Sequence, residues 1–426
     1  MINEENFIFE KPLMRLESNN DRIEVKFDDY FYEIDFSGNV YFKTKYDLLR
    51  LDNDSIAFYT KDGLSGLLDN NGRVTIQPKY QIFAPLRHDK YYSFFDKSKW
   101  GLIDRDGNIK VPAIYDADFE HLGKNYYVAH TMDGDGVINE NGNIILPFDY
   151  YDCSIYFWDN KKDKFTALKN ESQKCGVINL KNEIVIPFMY DWIERCFSEG
   201  KHKGCAIAKL NNKEGIINQK NEIIVPFEYE YMQAMSDDTF LICKKYGEGE
   251  YIVDNNFNQI SDKKFLEILT GYDHITTDYF IASLDDENKE GLIDKFDNTI
   301  IDFKYKDLSM IENPHNKSDF YLYAKNDYDK CGIIDIEENV IVPFEYDYDP
   351  AIEIDNDYSA PMAKNGKWGV INIKTNEILV DFLYEDIYSY YNRETTLAKY
   401  DGKYGVINKQ GQSIKYNLSD VKEIII

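Results

Sequence analysis

A phrase of eighteen residues recurs along this chain, and it constrains the fold more than any other feature of the sequence. The copies that begin at Lys99, Lys174 and Lys330 read KWGLIDRDGNIKVPAIYD, KCGVINLKNEIVIPFMYD and KCGIIDIEENVIVPFEYD. With looser copies included, the third position, which is usually glycine, recurs every 34 to 41 residues at Tyr32, Gly66, Gly101, Gly136, Gly176, Gly215, Tyr251, Gly291, Gly332, Gly369 and Gly405. Periods in this range are typical of solenoids, propellers and other arrays. The chain is therefore predicted to contain eleven repeats.

Each copy also contains the signature of a tight turn. The third residue after the glycine slot is Asp or Asn in every copy, and a short oxygen-bearing side chain there accepts hydrogen bonds from backbone N–H groups just ahead. The residue three positions later is often Gly or Asn, which tolerate a left-handed backbone. A hairpin of the type I plus bulge kind is predicted at each of these Asp and Asn residues: Asp35, Asp69, Asp104, Asn139, Asn179, Asn218, Asp254, Asp294, Asp335, Asn372 and Asn408.

The residues around the turn predict β-strands. Segments such as GLID before it and IVIP after it are short and rich in Ile and Val, and a third alternating run, such as YYSFFD from Tyr91, precedes the glycine slot. Proline is predicted to end the strand after the turn, because it cannot donate to a β-ladder. The prolines are Pro112, Pro147, Pro187, Pro226 and Pro343.

An aromatic residue follows the proline slot, and it is predicted to fill the core between neighbouring repeats. These aromatic residues are Tyr46, Tyr80, Tyr115, Tyr150, Tyr190, Tyr229, Phe265, Tyr305, Tyr346 and Tyr384. The variable stretch after each of them is compatible with one helical turn or with a bent strand, so about three strands per repeat are predicted.

With these slots assigned, the sequence resembles the bacterial WG-repeat proteins, which are named for a Trp-Gly pair. The resemblance extends from about Tyr32 to Gly411, and it implies a β-rich array that acts as a binding or scaffolding module and implies no reaction. The full pair occurs twice, and elsewhere the tryptophan slot holds Tyr, Cys, Glu, Asp or Ser. The repeat positions taken as structural are Trp100, Gly101, Asp104, Gly136, Asn139, Gly176, Asn179, Gly215, Asn218, Gly291, Asp294, Gly332, Asp335, Trp368, Gly369 and Asn372.

The predicted fold is all-β, with about eleven three-stranded units stacked as an open β-array, either a superhelix or a solenoid. One or more β-propellers are the alternative, since propeller blades usually have four strands and close at four to eight copies. Residues 1–31 are predicted to form an N-terminal cap region, 32–411 the repeat array and 412–426 a C-terminal cap or tail, because arrays need shielded ends.

The net charge of −27 disfavours binding to nucleic-acid phosphates or to anionic membranes, because both require basic patches. It suits either a basic protein partner or ordinary solubility, in which like charges prevent edge-to-edge association. The N-terminal residues lack the apolar core of a secretory signal, and no apolar run is long enough for a membrane helix. We therefore expect a cytoplasmic protein.

Neither a metal site nor a catalytic site is indicated. The six cysteines and six histidines are scattered without paired spacing, and the Asp-rich turn DRDGNIKVPAIY lacks the ligand pattern of a calcium loop. Sequence signatures of hydrolases, zinc proteases and phosphate-binding loops are absent. We expect no cofactor and no catalytic residue.

Two aromatic clusters are the candidate partner-contact residues, because exposed rings often anchor interfaces. The alternative is that strand alternation buries them in the core. The candidates are Tyr156, Trp158, Tyr388, Tyr390 and Tyr391.

The sequence therefore predicts a non-enzymatic binding or scaffold protein that presents an acidic, tyrosine-rich surface to a protein partner. A sharper form of this hypothesis is an inhibitor or immunity protein for a basic toxin. The alternatives are a carbohydrate-active or peptide-processing enzyme built on the array, and a passive spacer or sensor array in a larger complex.

Overall fold

The computed structural model describes residues 3–13, 22–51, 55–60, 62–86, 90–123, 125–151, 164–169, 172–196, 201–234, 241–245, 247–269, 278–284, 289–316, 319–347, 354–388, 394–419, 421 and 423–424. Contacts divide the chain into two compact units. Unit 1 contains Met1–Lys61, Leu67–Val74 and Leu269–Ile426, and unit 2 contains Asp62–Gly66 and Thr75–Ile268.

Almost all regular structure in the described residues is β-strand, with one short 3-10 helix at Glu4–Asn6, so the predicted all-β repeat class is confirmed. The first twenty strands are β1 (Lys11–Leu13), β2 (Arg22–Phe27), β3 (Tyr30–Asp35), β4 (Val40–Thr44), β5 (Asp47–Arg50), β6 (Ser55–Tyr59), β7 (Ser65–Asp69), β8 (Val74–Tyr80), β9 (Ile82–Pro85), β10 (Tyr91–Asp96), β11 (Lys99–Asp104), β12 (Ile109–Tyr115), β13 (Glu120–Gly123), β14 (Tyr126–Thr131), β15 (Gly134–Asn139), β16 (Ile144–Tyr151), β17 (Lys164–Lys169), β18 (Lys174–Asn179), β19 (Ile184–Tyr190) and β20 (Trp192–Cys196).

The remaining strands of the described residues are β21 (Ala206–Leu210), β22 (Lys213–Ile217), β23 (Ile223–Tyr229), β24 (Tyr231–Ala234), β25 (Leu241–Lys244), β26 (Glu250–Val253), β27 (Glu267–Leu269), β28 (Tyr279–Ser283), β29 (Glu290–Asp294), β30 (Thr299–Tyr305), β31 (Asp307–Glu312), β32 (Phe320–Lys325), β33 (Cys331–Ile334), β34 (Val340–Tyr346), β35 (Ser359–Lys364), β36 (Lys367–Asn372), β37 (Glu377–Tyr384), β38 (Asp386–Ile387), β39 (Thr395–Tyr400), β40 (Lys403–Asn408) and β41 (Glu423–Ile424).

Each repeat builds a small antiparallel meander. In unit 2 the order β12-β11-β10-β9 shows that the variable stretch after Tyr80 is a strand, since Phe83 of β9 pairs with Phe94 of β10. This stretch adds a fourth strand to the three that the sequence predicted. Four residues carry too few alternations to distinguish a strand from a helical turn before the structure is known. Sheets β20–β23 in unit 2 and β31–β34 in unit 1 have the same order.

Some sheets depart from this plan. The sheet β13–β19 joins two repeats, because Tyr150 and Tyr151 of β16 pair with Lys169 and Leu168 of β17. Sheets β24–β26, β35–β37 and β38–β40 contain three strands, and β1–β4 is joined by β41, which runs parallel to β4.

The prolines do not end their strands, and this part of the sequence prediction is wrong. Pro112 lies in the middle of β12, which continues to Tyr115, and Pro187 lies in the middle of β19. Both strands are at the end of their sheet's strand order. Because the missing N–H of proline then faces away from the ladder, the strand continues past it without losing a hydrogen bond.

The core lies between successive repeats. One cluster in unit 2 combines Leu102 and Val111 of one repeat with Ala129 and Ile138 of the next, and Tyr115 packs among them. Of the ten predicted core aromatics, Tyr46 and Tyr305 are half-buried and the others are buried. Repeats therefore stabilise one another by shared burial, as expected for a repeat protein.

The two ends of the chain meet within unit 1. Phe9 forms an antiparallel bridge with Tyr404, and Thr44 of β4 pairs with Ile424 of β41. One apolar cluster contains Phe9 and Tyr32 from the start of the chain together with Leu397, Val406 and Tyr416 from its end.

Candidate interaction surface

The predicted Asp and Asn residues lie at the tips of hairpins and organise them. At Asp104 the Oδ1 atom accepts hydrogen bonds from the backbone N–H groups of Asp106 at 3.1 Å and Asn108 at 2.8 Å. Asn179 accepts the same pair of bonds, both at 2.9 Å. Oδ1 of each of the other nine residues also accepts two backbone N–H groups: Asp35, Asp69, Asn139, Asn218, Asp254, Asp294, Asp335, Asn372 and Asn408. These side chains therefore cap the backbone of their own turns.

The residue that closes the turn is left-handed, as at Gly107, where φ is 85°. The same slot is also left-handed in three repeats where it holds neither Gly nor Asn. Phe257, Asp297 and Glu338 have φ values of 65°, 66° and 63°. The Asp or Asn at the start of the turn therefore determines the backbone even where the closing residue carries a strained side chain.

The glycine slot is a point of close backbone approach. A Cβ atom added at Gly332 would lie 2.6 Å from the carbonyl oxygen of Val342, and one at Gly176 would lie 2.8 Å from that of Ile186. The β-ladder shifts register at this slot, because Cys175 pairs with Tyr190 and Val177 with Ile186. By contrast, Tyr32 pairs regularly with Lys43, so a side chain fits there. Glycine is required where the strand bulges toward its neighbour.

The recurring tyrosines link each repeat to the next. The ring of Tyr190 lies 5.8 Å from Phe227, centroid to centroid, and its hydroxyl donates to Oδ1 of Asn221 at 2.7 Å. Tyr150 makes the same two contacts, with Phe188 and with Asn182. The recurring tyrosines thus pack inside the array and connect neighbouring repeats.

The tryptophan slot is also structural. Trp100 packs against a core cluster and lies 5.1 Å from the ring of Phe95, and Trp368 packs against another cluster. Where this slot holds glutamate, the carboxylate accepts a backbone N–H group from the next repeat. Glu214 accepts from Met232 at 2.8 Å, and burial raises the pKa of this carboxyl.

A second set of carboxylates connects repeats through ion pairs. Asp347 pairs with Lys330 of its own repeat at 2.7 Å and accepts the N–H of Gly366, in the following hairpin, at 2.8 Å. Asp191 is held in the same way by Lys174 and by the N–H of Asn212. The lysine partner is the main reason that the pKa of each aspartate lies below its ordinary value.

These slots coincide with a known family. The family described as "WG containing repeat" matches residues 100–117, 136–161, 176–213, 215–246, 332–368 and 368–404. The chain is a WG-repeat protein. A β-repeat array of this kind fits a protein-interaction scaffold.

Several solved structures are similar to this WG-repeat protein. A structure titled "Crystal structure of the eukaryotic initiation factor" has a TM-score of 0.41 at 11% identity and covers 77% of this chain and 95% of its own. Sqt1 of Saccharomyces cerevisiae has a TM-score of 0.33 at 11% identity, with coverage of 67% and 95%. Hsv2p of Kluyveromyces lactis has a TM-score of 0.29 at 10% identity, with coverage of 58% and 91%. No curated protein matches the sequence.

Of the five candidate partner-contact aromatics, the structure describes Tyr388. Tyr156, Trp158, Tyr390 and Tyr391 lie outside the described residues. Tyr388 is half-buried and packs against the cluster at the chain ends, and burial raises its pKa to about 12.

The exposed side chains of the WG repeats in unit 2 form a feature that the sequence analysis missed. The first residue of the strand after each turn is an isoleucine that is 49% to 61% exposed in four successive repeats. We call Ile109, Ile144, Ile184 and Ile223 the aliphatic row. Single exposed apolar residues are ordinary, but here they recur at one slot of successive repeats. The sequence alone does not show this row, because a one-residue change of register exchanges the exposed and buried faces of a strand.

The exposed face continues along the same strands. Ile114 and Met189 are also exposed near the ends of β12 and β19, whereas Asp149 and Glu228 occupy this position in the other two repeats. The surface around the aliphatic row is therefore apolar with acidic residues at intervals.

The two units differ in charge. Unit 1 has 45 acidic and 25 basic residues, a net charge of −20, and unit 2 has 31 acidic and 24 basic residues, a net charge of −7. In unit 1 the slot that forms the aliphatic row in unit 2 holds Val40, Val74, Thr299, Val340, Ile378 and Ser413. The less charged unit thus carries the longer run of exposed isoleucines.

The described residues contain no group of three or more His, Cys, Asp and Glu side chains that could hold a metal ion. Cys175, Cys205, Cys243 and Cys331 are buried thiols. No helix among the described residues has the length and apolar character needed to cross a membrane.

Proposed function

We propose that this WG-repeat protein is a non-catalytic scaffold that binds a protein partner through the aliphatic row of unit 2. The recurrence of an exposed isoleucine at one slot in four successive repeats carries this proposal. Strand alternation would accept a polar residue at the same exposed slot without loss of core packing. Apolar residues at the centre of an interface supply most of its binding free energy when a partner covers them.

The charge of the chain supports a basic partner. Acidic residues such as Glu183 and Glu222 directly precede two members of the aliphatic row and are exposed. Opposite charges around an apolar centre raise the association rate and exclude acidic competitors. The partner is therefore a protein that presents apolar side chains surrounded by Lys and Arg, and a basic toxin inhibited by this chain is one protein of that chemistry.

Tyrosine contributes less to this surface than the sequence suggested. The repeated tyrosines are core residues, and three described tyrosines exceed about a third exposure: Tyr151, Tyr231 and Tyr328. The proposed contact residues are accordingly aliphatic and acidic.

A matched pair of variants tests the proposal. In Ile184→Ser with Ile223→Ser the aliphatic row is interrupted, and in Val340→Ser with Ile378→Ser the same slot is changed in unit 1, where exposure is similar at 51% to 58%. Partners captured from the native host by wild-type protein and mapped by cross-linking are compared. We expect the first variant to lose the partner by at least about tenfold and the second to retain it, because one buried apolar anchor contributes about 1.4 kcal/mol or more.

The salt dependence of partner capture shows how much of the binding comes from charge and how much from apolar contact. Raising salt from about 50 to about 500 mM should weaken capture, because screening shortens the reach of charge. Equal capture by both variants, or cross-links that fall outside unit 2, would refute the use of the aliphatic row.

A further inference from the structure

The last repeat does not supply its own outer strand. After β40 and the turn at Asn408, Ile414 donates its N–H to Val406 at 2.8 Å, and a short bridge joins Ile407 to Ser413. In eight other repeats an aromatic residue of the outer strand pairs with the tryptophan slot, as Tyr346 pairs with Cys331. At Tyr404 this partner is Phe9, 395 residues away in the chain.

Residues 7–10 take the positions of an outer strand one by one. The N–H of Phe9 donates to Tyr404 at 3.1 Å, and the N–H of Tyr404 donates to Phe9 at 2.9 Å. Glu10 donates its N–H to Lys26 at 2.8 Å, as Asp347 does to Ala363 at 2.8 Å. The tetrapeptide Phe7-Ile8-Phe9-Glu10 thus occupies the place of Phe344-Glu345-Tyr346-Asp347.

The fit extends to the glycine slot and to the flanks. A Cβ atom added at Gly405 would lie 2.9 Å from the ring of Phe7 and 3.0 Å from the carbonyl oxygen of Asn6. Nδ2 of Asn6 donates to Oγ of Ser413 at 3.0 Å. Phe7 and Phe9 are both buried. Residues 6–10 therefore fill a shaped strand-binding site beside β40.

We propose that this site exchanges its strand between molecules, so that the N-terminal segment of a second copy of this chain completes the last repeat. All contacts described above are made by residues 6–10, and the same residues of a second copy offer identical contacts. An exchange of identical elements needs no new interface and is a low-cost route to assembly. Copies joined in this way form a larger scaffold that displays several binding surfaces.

A cysteine cross-link tests the exchange in the full-length chain. One copy carries Phe9→Cys and another carries Tyr404→Cys, which places the two cysteines at a hydrogen-bonded antiparallel pair, where Cα atoms are roughly 5.5 Å apart and a disulfide fits. The two variants are mixed, warmed, cooled and oxidised. Exchange predicts a covalent dimer whose disulfide joins positions 9 and 404, identified by mass spectrometry. The double variant alone, at low concentration, should give the same disulfide within one molecule.

A peptide provides an independent measurement. A labelled peptide of residues 1–13 should bind full-length Phe9→Ala at least about tenfold more tightly than wild type, because the wild-type site is occupied by its own segment. The same peptide with both phenylalanines replaced by alanine should not bind, and Gly405→Ala should weaken binding. A double variant that forms the internal disulfide while the mixture yields only monomers would overturn the exchange. A folded Phe9→Ala protein that does not bind the peptide would also overturn it.

Discussion

Two repeats of unit 1 make the same contacts with different connectivity. In the interior repeat, which contains Gly332, the outer strand follows the turn directly and ends in Tyr346 and Asp347. In the closing repeat, which contains Gly405, the outer strand is the segment of residues 6–10 from the other end of the chain. The packing of the two outer strands is equivalent, so any difference in their stability comes from how each strand is connected to its repeat. Closing a loop of this length has an entropic cost, so the closing strand should be the first to detach.

The largest expected effect comes from the buried aromatics. Tyr346→Ala should destabilise the protein by about 3–5 kcal/mol, because it removes a buried ring and leaves a cavity. Phe9→Ala should lower the overall free energy of unfolding by less than half as much, because the segment can detach while the other repeats stay folded. Urea titration gives the free energies, and hydrogen exchange shows which amides open. Equal losses would mean that the closing repeat unfolds with the rest.

The glycine slots give the next largest contrast. Gly332→Ala should cost about 1–3 kcal/mol, because its Cβ would meet a carbonyl of the covalently continuous strand at 2.6 Å. Gly405→Ala should cost less in thermal unfolding and should instead expose residues 3–13 to protease, because the neighbours at 2.9 and 3.0 Å belong to the terminal segment. If the melting temperature falls by the same amount in both variants and neither is cleaved, the segment is held as firmly as an interior strand.

The tyrosine hydroxyls sharpen the comparison further. Tyr190→Phe removes a hydrogen bond of 2.7 Å to Asn221 inside the array and should cost about 1 kcal/mol. Tyr384→Phe removes a bond of 3.3 Å to the carbonyl of Gly411, at the turn of the closing repeat, and should cost about half as much. Both are measured by urea titration at neutral pH. A larger loss for Tyr384 would show that the closing repeat depends strongly on this tyrosine.

The smallest effect is on acid stability. The pKa of Asp347 is lowered chiefly by Lys330, so its contribution is complete above the unfolded pKa, about 3.9, and is lost as pH falls through the lower folded pKa. Asp347→Asn should therefore remove under about 1 kcal/mol at pH 7 and nothing at pH 2. Urea midpoints between pH 2 and pH 7 measure this. A variant that is equally destabilised at both ends of the range would show that the aspartate acts by packing.

The hairpins were predictable because the signal for each lies within a few residues. Asp104 and Asn179 cap their own turns, and this local chemistry does not depend on the rest of the fold. The strand β9 was not predictable, since its four residues carry no clear period. Strands β12 and β19 also continue past their prolines, because their edge position is a property of the sheet and not of the local sequence.

The surfaces were less predictable than the fold. Ile184 is exposed and Ile186 is buried, although residues two apart share a face in a regular strand. A bulge separates them, because Ile184 pairs with Ile178 whereas Ile186 pairs with Val177. The phrase Phe-Ile-Phe-Glu at residues 7–10 matches Phe-Glu-Tyr-Asp of the interior repeat, but no glycine slot and no turn precede it. Its role depends on Tyr404, and pairing across 395 residues leaves no trace in local sequence.

The use of the first residues to complete the last repeat affects how the chain is made. Phe7 and Phe9 leave the ribosome well before Tyr404, which lies 395 residues after Phe9 in the chain. At 5–20 residues per second, these two apolar rings wait roughly 20–80 s before their partner exists. During that interval the segment of a nascent chain has no site of its own, and it is available to the completed site of a neighbouring chain.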